Sequence, residues 1–379
     1  MAKITVVSRN FPPLTGGMER LVYELYRTLI HTHEVALLGP GGCEEHVDSN
    51  TVVRSTPVSP TSLFLLFTLF KGLKLHRLNS RSELIIGGSG LVGPVVILLA
   101  KFCGAKTILL LHGLDIIVDS PLYQWLFVPF LRRADMVICN SQNTARLAVA
   151  AGVNEQNIAI VNPGAETQQD PVSHQEAKRS LNLENKSILL SVGRLIPRKG
   201  LPDFITESFT RLAAEDPNLV LLIAGVEPSS ALNKSGASVH ARIEAAVSQH
   251  NLSEQVVLLG HVSDGEISTL YAAADVFVFP LIETHGDVEG FGMVAVEAAS
   301  HGTPTVAFDC GGVSDAVVDG ENGILVAPGD YEGFSTATLQ LLRESSYSSS
   351  RNKALDFSRR FSWEIYGAQA QSCIEKVLT

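Results

Sequence analysis

The sequence predicts two α/β domains, each built on a doubly wound parallel sheet, and three observations lead there. Short β-branched and apolar runs alternate with longer stretches of helical periodicity, the pattern of parallel strands joined by crossover helices. That alternation runs twice, on either side of the polar stretch Glu166-Thr-Gln-Gln-Asp-Pro-Val-Ser-His-Gln175, which has linker composition. A chain of 379 residues is also long for a single hydrophobic core.

In the first half, strands are expected at 3–8, 33–38, 83–87, 105–111, 135–139 and 157–161, where β-branched and apolar residues cluster between turn signals. Helices fit 17–31, 61–78, 92–102, 121–133 and 142–151. In the second half, strands fit 187–192, 219–224, 255–259, 275–279, 304–307 and 323–326, and helices fit 201–215, 238–250, 264–273, 291–301 and 331–343. A last helix is expected near 362–378.

Composition narrows the class of function. The chain is 45% hydrophobic and 18% charged, as in a globular protein, and its formal charge of −10 speaks against a general nucleic-acid binder, which would need a basic face. Five scattered cysteines (Cys43, Cys103, Cys139, Cys310 and Cys373) form no Cys-x-x-Cys pair; Cys139, in an apolar strand-like run, is expected to be a small buried hydrophobe, and a reducing, cytoplasmic compartment fits. The start, Met1-Ala2-Lys3-Ile4-Thr5-Val6-Val7, reads as a strand and not as a signal peptide. No apolar run reaches the roughly 18 residues of a membrane span; Leu63 to Phe70 comes nearest.

In open parallel sheets, ligands bind beyond the carboxyl ends of the strands, so chemistry is expected in the loops that follow them. After the first strand comes Asn10-Phe-Pro-Pro-Leu-Thr-Gly-Gly-Met-Glu19, where Gly16 and Gly17 precede a helix whose N-terminus can receive an anion. This is no GxGxxG fingerprint, which disfavours a nicotinamide cofactor. After the strand ending at Leu111, His112-Gly113-Leu114-Asp115 places an imidazole at a strand end. Ser191-Val-Gly-Arg194-Leu-Ile-Pro-Arg198-Lys199-Gly200 sets three cations in a strand-to-helix loop; a guanidinium and an ammonium there suit a diphosphate better than a merely solvated turn. Finally, in Glu289-Gly-Phe-Gly-Met-Val-Ala-Val-Glu297 the helix is expected to start near Phe291 or Gly292. Glu289 then lies in the loop and Glu297 sits in an otherwise apolar helix, where a carboxylate needs a polar site to face; sugar and ribose hydroxyls fit the two acids.

Taken in order, these motifs resemble glycosyltransferase family 4. Gly-Arg-x4-Lys-Gly at 193–200 and Glu-x7-Glu at 289–297 carry most of the resemblance. The Gly16-Gly17 loop, His112-Gly113, Ala-Asp-x-Val-Ile-Cys-Asn-Ser at 134–141, Gly311-Gly312-Val-Ser-Asp315 and Phe361-Ser-Trp363-Glu add to it. Each motif is weak alone; the ordered set covers nearly the whole chain. The resemblance implies a GT-B fold, with two Rossmann-like domains facing a central cleft: residues 1–168 binding the acceptor, 169–359 binding the nucleotide sugar, and a terminal helix at about 360–379 packing back on the first domain.

It further implies a retaining hexosyltransferase of mannose or glucose type, acting without metal or cofactor on a nucleotide diphosphate sugar and a glycan or lipid-linked acceptor, as in bacterial polysaccharide or glycolipid synthesis. By similarity, Arg194 and Lys199 hold the diphosphate, Glu297 the ribose, and Glu289 with the backbone of Phe291 and Gly292 the donor sugar. His112 then meets the sugar or the reacting face, Gly16 and Gly17 lie close to the diphosphate or the acceptor, Gly193 lies close to the donor, and the base sits against the loop of Gly260 to Val262. Two cations and a helix N-terminus can offset the charge that develops on the leaving group, which is consistent with metal independence. Retention is open to a front-face route or to double displacement, for which Glu289 is the obvious carboxylate. Ser314-Asp315 departs from the Pro-Glu or Ala-Glu common in the family, which leaves Asp315 without an assigned role.

Two apolar segments with basic ends, 61–77 and 121–133, fit either buried crossover helices or elements lying in the interface of the cytoplasmic membrane face. Two rival functions remain open at this level: a sugar-nucleotide epimerase of the same shape, and a non-catalytic nucleotide-sugar-binding subunit.

Overall fold

The computed structural model describes residues 1–78, 81–166, 172–228, 238–345 and 348–379. Its contacts divide the chain into two units: Met1–Gly164 with His285–Phe291 and Trp363–Thr379, and Ala165–Thr284 with Gly292–Ser362. The boundary expected at 168/169 lies outside the described residues.

The first unit is a seven-stranded, all-parallel sheet of β1 (Lys3–Val7), β2 (Glu34–Pro40), β3 (Val52–Thr56), β4 (Leu84–Gly87), β5 (Lys106–Leu111), β6 (Met136–Cys139) and β7 (Ile158–Ile160), in the order β3-β2-β1-β4-β5-β6-β7. Its helices are α1 (Gly17–Ile30), α2 (Thr61–Leu78), α3 (Gly93–Cys103), α4 (Leu114–Ile117), α5 (Pro121–Leu126), α6 (Val128–Leu131) and α7 (Gln142–Ala150). Period-two alternation divides the strands between two cores. Ile4, Val6, Leu37, Ile86 and Leu110 pack with α1, while Val7, Leu38, Ile85, Leu109 and Val137 pack under α2, α3, α6 and α7.

The helix expected over 121–133 is two short ones, because Pro129 has no amide hydrogen to continue the first and instead opens the second. Both this stretch and α2 pack on the sheet through one side, with Phe64 and Leu75 of α2 and Val128 and Leu131 of α6 buried, but neither is buried all round: Leu66, Phe70, Leu122 and Trp125 are 60%, 65%, 65% and 75% exposed. Cys139 is buried in β6, and that burial, with the charge of Asp115 adding to it, pushes its thiol up to about 12.

The second unit is a six-stranded parallel sheet of β8 (Ser187–Val192), β9 (Leu219–Ala224), β10 (Val256–Gly260), β11 (Val276–Phe279), β12 (Thr305–Phe308) and β13 (Gly323–Val326), ordered β10-β9-β8-β11-β12-β13. Its helices are α8 (His174–Ser180), α9 (Leu201–Phe204), α10 (Thr210–Glu215), α11 (Val239–Gln249), α12 (Asp264–Ala273), α13 (Met293–Ser300), α14 (Tyr331–Ser345) and α15 (Ser348–Ser358). The helix expected over 201–215 carries a π turn at Ile205–Phe209 between α9 and α10. At the amino edge of the sheet, buried Asp275 accepts from Lys178 Nζ (2.7 Å), the Ile188 amide (2.7 Å) and His174 (3.1 Å), tying α8 to β8. Burial alone would raise that carboxyl; these bonds win and hold it below its usual value.

After the second unit the chain ends in α16 (Trp363–Leu378), which groups with the first unit; its Tyr366, Ala370 and Ile374 are buried in the same core as α1. In both sheets the strand order reverses beside the first strand of the unit, at β1/β4 and at β8/β11. Those switch points are where doubly wound sheets receive ligands.

Candidate functional site

In the second unit the loop leaving β8 carries Gly193, Arg194 and Lys199. It is stitched to the strand ends on both sides. The Gly193 amide donates to Ala224 O (2.9 Å) and the Ile282 amide, beyond β11, donates to Arg198 O (2.9 Å). The Gly225 amide donates to Gly260 O (2.8 Å), which adds the loop of Val262, half-buried, to the same edge. Gly225, which nothing in the sequence singled out, is required here: a Cβ on it would stand 1.8 Å from Gly193 O.

Arg194 is exposed, whereas Lys199 is 8% exposed. The Lys199 side chain runs along Gly193, whose added Cβ would meet Cε at 3.3 Å, and its Nζ rests 4.4 Å from the centre of the Phe279 ring. Gly292, the left-handed residue that opens α13, lies against the same ring; a Cβ there would lie 3.2 Å from Phe279 Cε1. Lys199 and the N-terminus of α13 thus meet at Phe279. No side chain caps that helix, so its first amides and its dipole present positive charge beside the ammonium.

Glu297, on α13, is half-buried and accepts from Tyr271 Oη at Oε2 (3.1 Å). Tyr271 is fully buried, and burial first, then the neighbouring carboxylate, keeps its phenol well above the usual value and so a donor. Behind it, His301 stacks on Tyr271 at 5.4 Å. A carbonyl only accepts, so the 2.9 Å contact with Glu297 O puts the imidazole proton on Nδ1 and leaves Nε2 to accept from Ser268 Oγ (2.8 Å). Burial lowers the pKa of His301 and keeps it neutral. Tyr271 was invisible in the sequence, where it reads as one more apolar position of α12.

In the first unit, His112 follows β5 and is 6% exposed. Its Nε2 lies 2.8 Å from Gly88 O, so Nε2 carries the proton; among the described residues its Nδ1 takes no hydrogen-bond partner and is left as an acceptor. Asp115 fixes the loop, accepting from the amides of His112 (2.9 Å) and Gly90 (2.7 Å). The segment holding Glu289 and Phe291 groups with this unit and lies against His112: a Cβ on Gly290 would come within 2.3 Å of His112 O and 2.7 Å of Asn140 Nδ2. The structure therefore brings Glu289, Phe291 and His112 together. Glu289 is half-buried and Phe291 buried. Gly16 and Gly17 are exposed at the start of α1, which has no side-chain cap, and Glu19 in its first turn accepts from Asn10 Nδ2 (2.7 Å).

Two carboxyl edges furnished in this way, on a GT-B pair of Rossmann-like sheets, define a glycosyltransferase. The comparisons with known proteins say the same. Residues 15–169 match the Glycosyltransferase Family 4 pattern and residues 173–359 that of Glycosyl transferases group 1; the chain belongs to the family 4 type of glycosyltransferases and is a nucleotide-sugar hexosyltransferase. It is 27% identical over 394 residues, 96% of each chain, to the GDP-mannose-dependent alpha-(1-6)-phosphatidylinositol monomannoside mannosyltransferase of Mycolicibacterium smegmatis. With D-inositol 3-phosphate glycosyltransferase 2 of Catenulispora acidiphila it shares 30% identity over 243 residues, 62% of this chain and 54% of that one. Among solved structures, Anabaena HepE in complex with UDP and glucose superposes with a TM-score of 0.78 at 21% identity, covering 99% of this chain and 100% of that one. Sucrose-phosphate synthase of Thermosynechococcus elongatus gives 0.78 at 22%, covering 99% of each.

Proposed function

We propose that the enzyme moves a mannosyl or glucosyl residue, with retention at the anomeric carbon and without a metal ion, from a nucleotide diphosphate sugar to a glycan or lipid-linked acceptor. The observation that carries this reading is the meeting of buried Lys199 with the uncapped N-terminus of α13 at Phe279, beside the switch point of the second sheet. As the glycosidic bond breaks, negative charge grows on the leaving diphosphate. An ammonium and a helix terminus already held in place stabilise that charge without reorganisation. Exposed Arg194, on the same loop, supplies a guanidinium able to bind phosphate bidentately.

Glu297 accepts from the ribose hydroxyls, held for that by Tyr271. Glu289 and the backbone of Phe291 and Gly292 take the sugar, and His112 accepts a sugar hydroxyl at Nδ1. Gly16, Gly17 and Gly193 leave room for phosphate, and Val262 packs on the base. Mannose is favoured by the likeness to a GDP-mannose-dependent enzyme over 96% of each chain.

The test is a thermal-shift screen against UDP-, GDP- and ADP-sugars, followed by release of nucleoside diphosphate with and without EDTA. A bound donor raises stability by RT ln(1+[L]/Kd), about 2.7 kcal/mol at a hundredfold excess over Kd, so the true donor stands out. A shift with one GDP-sugar and EDTA-insensitive release are expected. Release abolished by EDTA and restored by a divalent ion would overturn metal independence, and an inverted product anomer would overturn retention.

A further inference from the structure

The outer surface of the first unit carries an apolar face that no part of the described chain covers. On α2 the exposed apolar residues Leu63, Leu66, Phe67 and Phe70 fall at i, i+3, i+4 and i+7, one stripe of the helix. The opposite side of α2, with Phe64, Thr68 and Leu75, is buried against the sheet, so the stripe is not needed for folding. The same stripe continues into exposed Lys74 and Arg77. Helix α3 packs beside α2, where a Cβ on Gly72 would meet Leu99 Cδ1 at 2.6 Å, and it exposes Phe102 next to Lys101. Helix α6 packs on α3, and α5, just before it, exposes Leu122, Trp125 and Leu126 at i, i+3 and i+4.

Charge on these elements runs against the rest of the molecule. The chain has 39 acidic and 29 basic residues, yet residues 61–78, 92–103 and 120–134 hold three, one and two basic residues and not one Asp or Glu. An apolar stripe ending in cations, on a protein of net charge −10, fits an anionic surface with an apolar interior beneath it. A second copy of the chain fits less well, because a two-fold interface would set the cationic rim against itself. Among the described residues no helix is long and apolar enough to cross a membrane, so contact through this face would be lateral.

We propose that the α2–α3–α5 face docks the enzyme on the surface of an anionic phospholipid bilayer, with Phe70, Leu66 and Trp125 entering the interface and Lys74, Arg77 and Lys101 meeting the headgroups. Docking of this kind is independent of which donor or acceptor the enzyme uses and can be measured without turnover.

Full-length protein is sedimented with vesicles of phosphatidylcholine alone and of phosphatidylcholine with phosphatidylglycerol, at low and high salt. Binding to the anionic vesicles at low salt is expected, roughly tenfold or more stronger than to the neutral ones and weakened by salt. A Lys74→Glu/Arg77→Glu variant should lose at least about 25-fold, near fivefold for each cation removed. A Leu66→Ser/Phe70→Ser/Trp125→Ser variant should lose binding while keeping its melting temperature, since all three side chains are exposed. The chain has two tryptophans, so a Trp363→Phe variant reports on Trp125 alone, whose emission should shift to the blue on anionic vesicles only. No binding to anionic vesicles would overturn the proposal. So would binding untouched by the triple substitution, or a dimer in vesicle-free solution that the triple substitution dissolves.

Discussion

Replacing Lys199 with methionine separates its proposed catalytic part from its structural one. Methionine keeps an unbranched apolar stem along Gly193 and against Phe279, so packing is retained and only the charge is lost. On the stability side, the cation–π contact forgone is about 0.5–2 kcal/mol, and the ammonium gives up a polar partner as well; relieving the desolvation of a group that is 8% exposed opposes both losses. A net loss of at most about 2 kcal/mol is expected, a melting temperature within about 8 °C of the parent. On the catalytic side, one preorganised donor facing developing charge is worth about 2.7–4 kcal/mol, a fall in kcat of about 10² to 10³. The assay is the initial rate of nucleoside diphosphate release at saturating donor, read beside a thermal melt. Lys199→Arg should recover little, since Gly193 leaves scant room for a planar fork. A Lys199→Met enzyme with kcat within about threefold of the parent would refute the role; a collapsed melt would mark the lysine as structural.

Tyr271→Phe removes one hydrogen bond to a carboxylate, worth about 1.5–3 kcal/mol, and leaves the ring packed on His301; donor Kd should rise roughly tenfold, with kcat less affected, as isothermal titration and steady-state kinetics would show. Gly290→Ala drives a methyl into His112 O, where backbone must yield; a melt lowered by about 1–3 kcal/mol and a loss in kcat/KM approaching 10² are expected, and parent-like values for both would contradict the contact. Burial lowers the pKa of His301 in the folded state below its unfolded value of 6.5, so the unfolded chain binds the extra proton first. Its contribution is therefore whole above pH 6.5 and is lost as pH falls through the folded pKa, at most about 1.4 kcal/mol per pH unit. Stability measured by urea unfolding should decline below pH 6.5, and His301→Gln should flatten that slope.

Twelve of the strands could be read from the chain to within two residues or so, because parallel strands buried on both faces are nearly continuous apolar runs. The thirteenth, β3, was missed: Val-Val-Arg-Ser-Thr at a sheet edge carries too few apolar residues for either pattern. Helix α8 starts in the last residues of the polar stretch ending at Gln175 and continues where no element is expected, although Ser173 and Glu176 form a capping box with the Ser-x-x-Glu signature. At the candidate site the motifs named Lys199 and Glu297, since unusual charges in apolar surroundings stand out. Tyr271 and Gly225 were not legible, because a tyrosine in an apolar helix and a glycine after a strand acquire meaning only from what the fold sets beside them.

The return of α16 to the first unit has a consequence for synthesis on the ribosome. Residues up to Gly164 emerge first, yet Tyr366, Ala370 and Ile374, which close the α1 side of their core, emerge only after the whole second unit. At about 5–20 residues per second, the intervening 198 residues take roughly 10–40 s, during which the apolar side of α1 waits without its partner. The second unit, contiguous from Ala165 to Ser362 but for seven residues, has its core residues in hand before α16 arrives. The earlier half of the chain is thus the later to be finished, and a nascent chain stalled short of Trp363 would leave it open to chaperones and proteases.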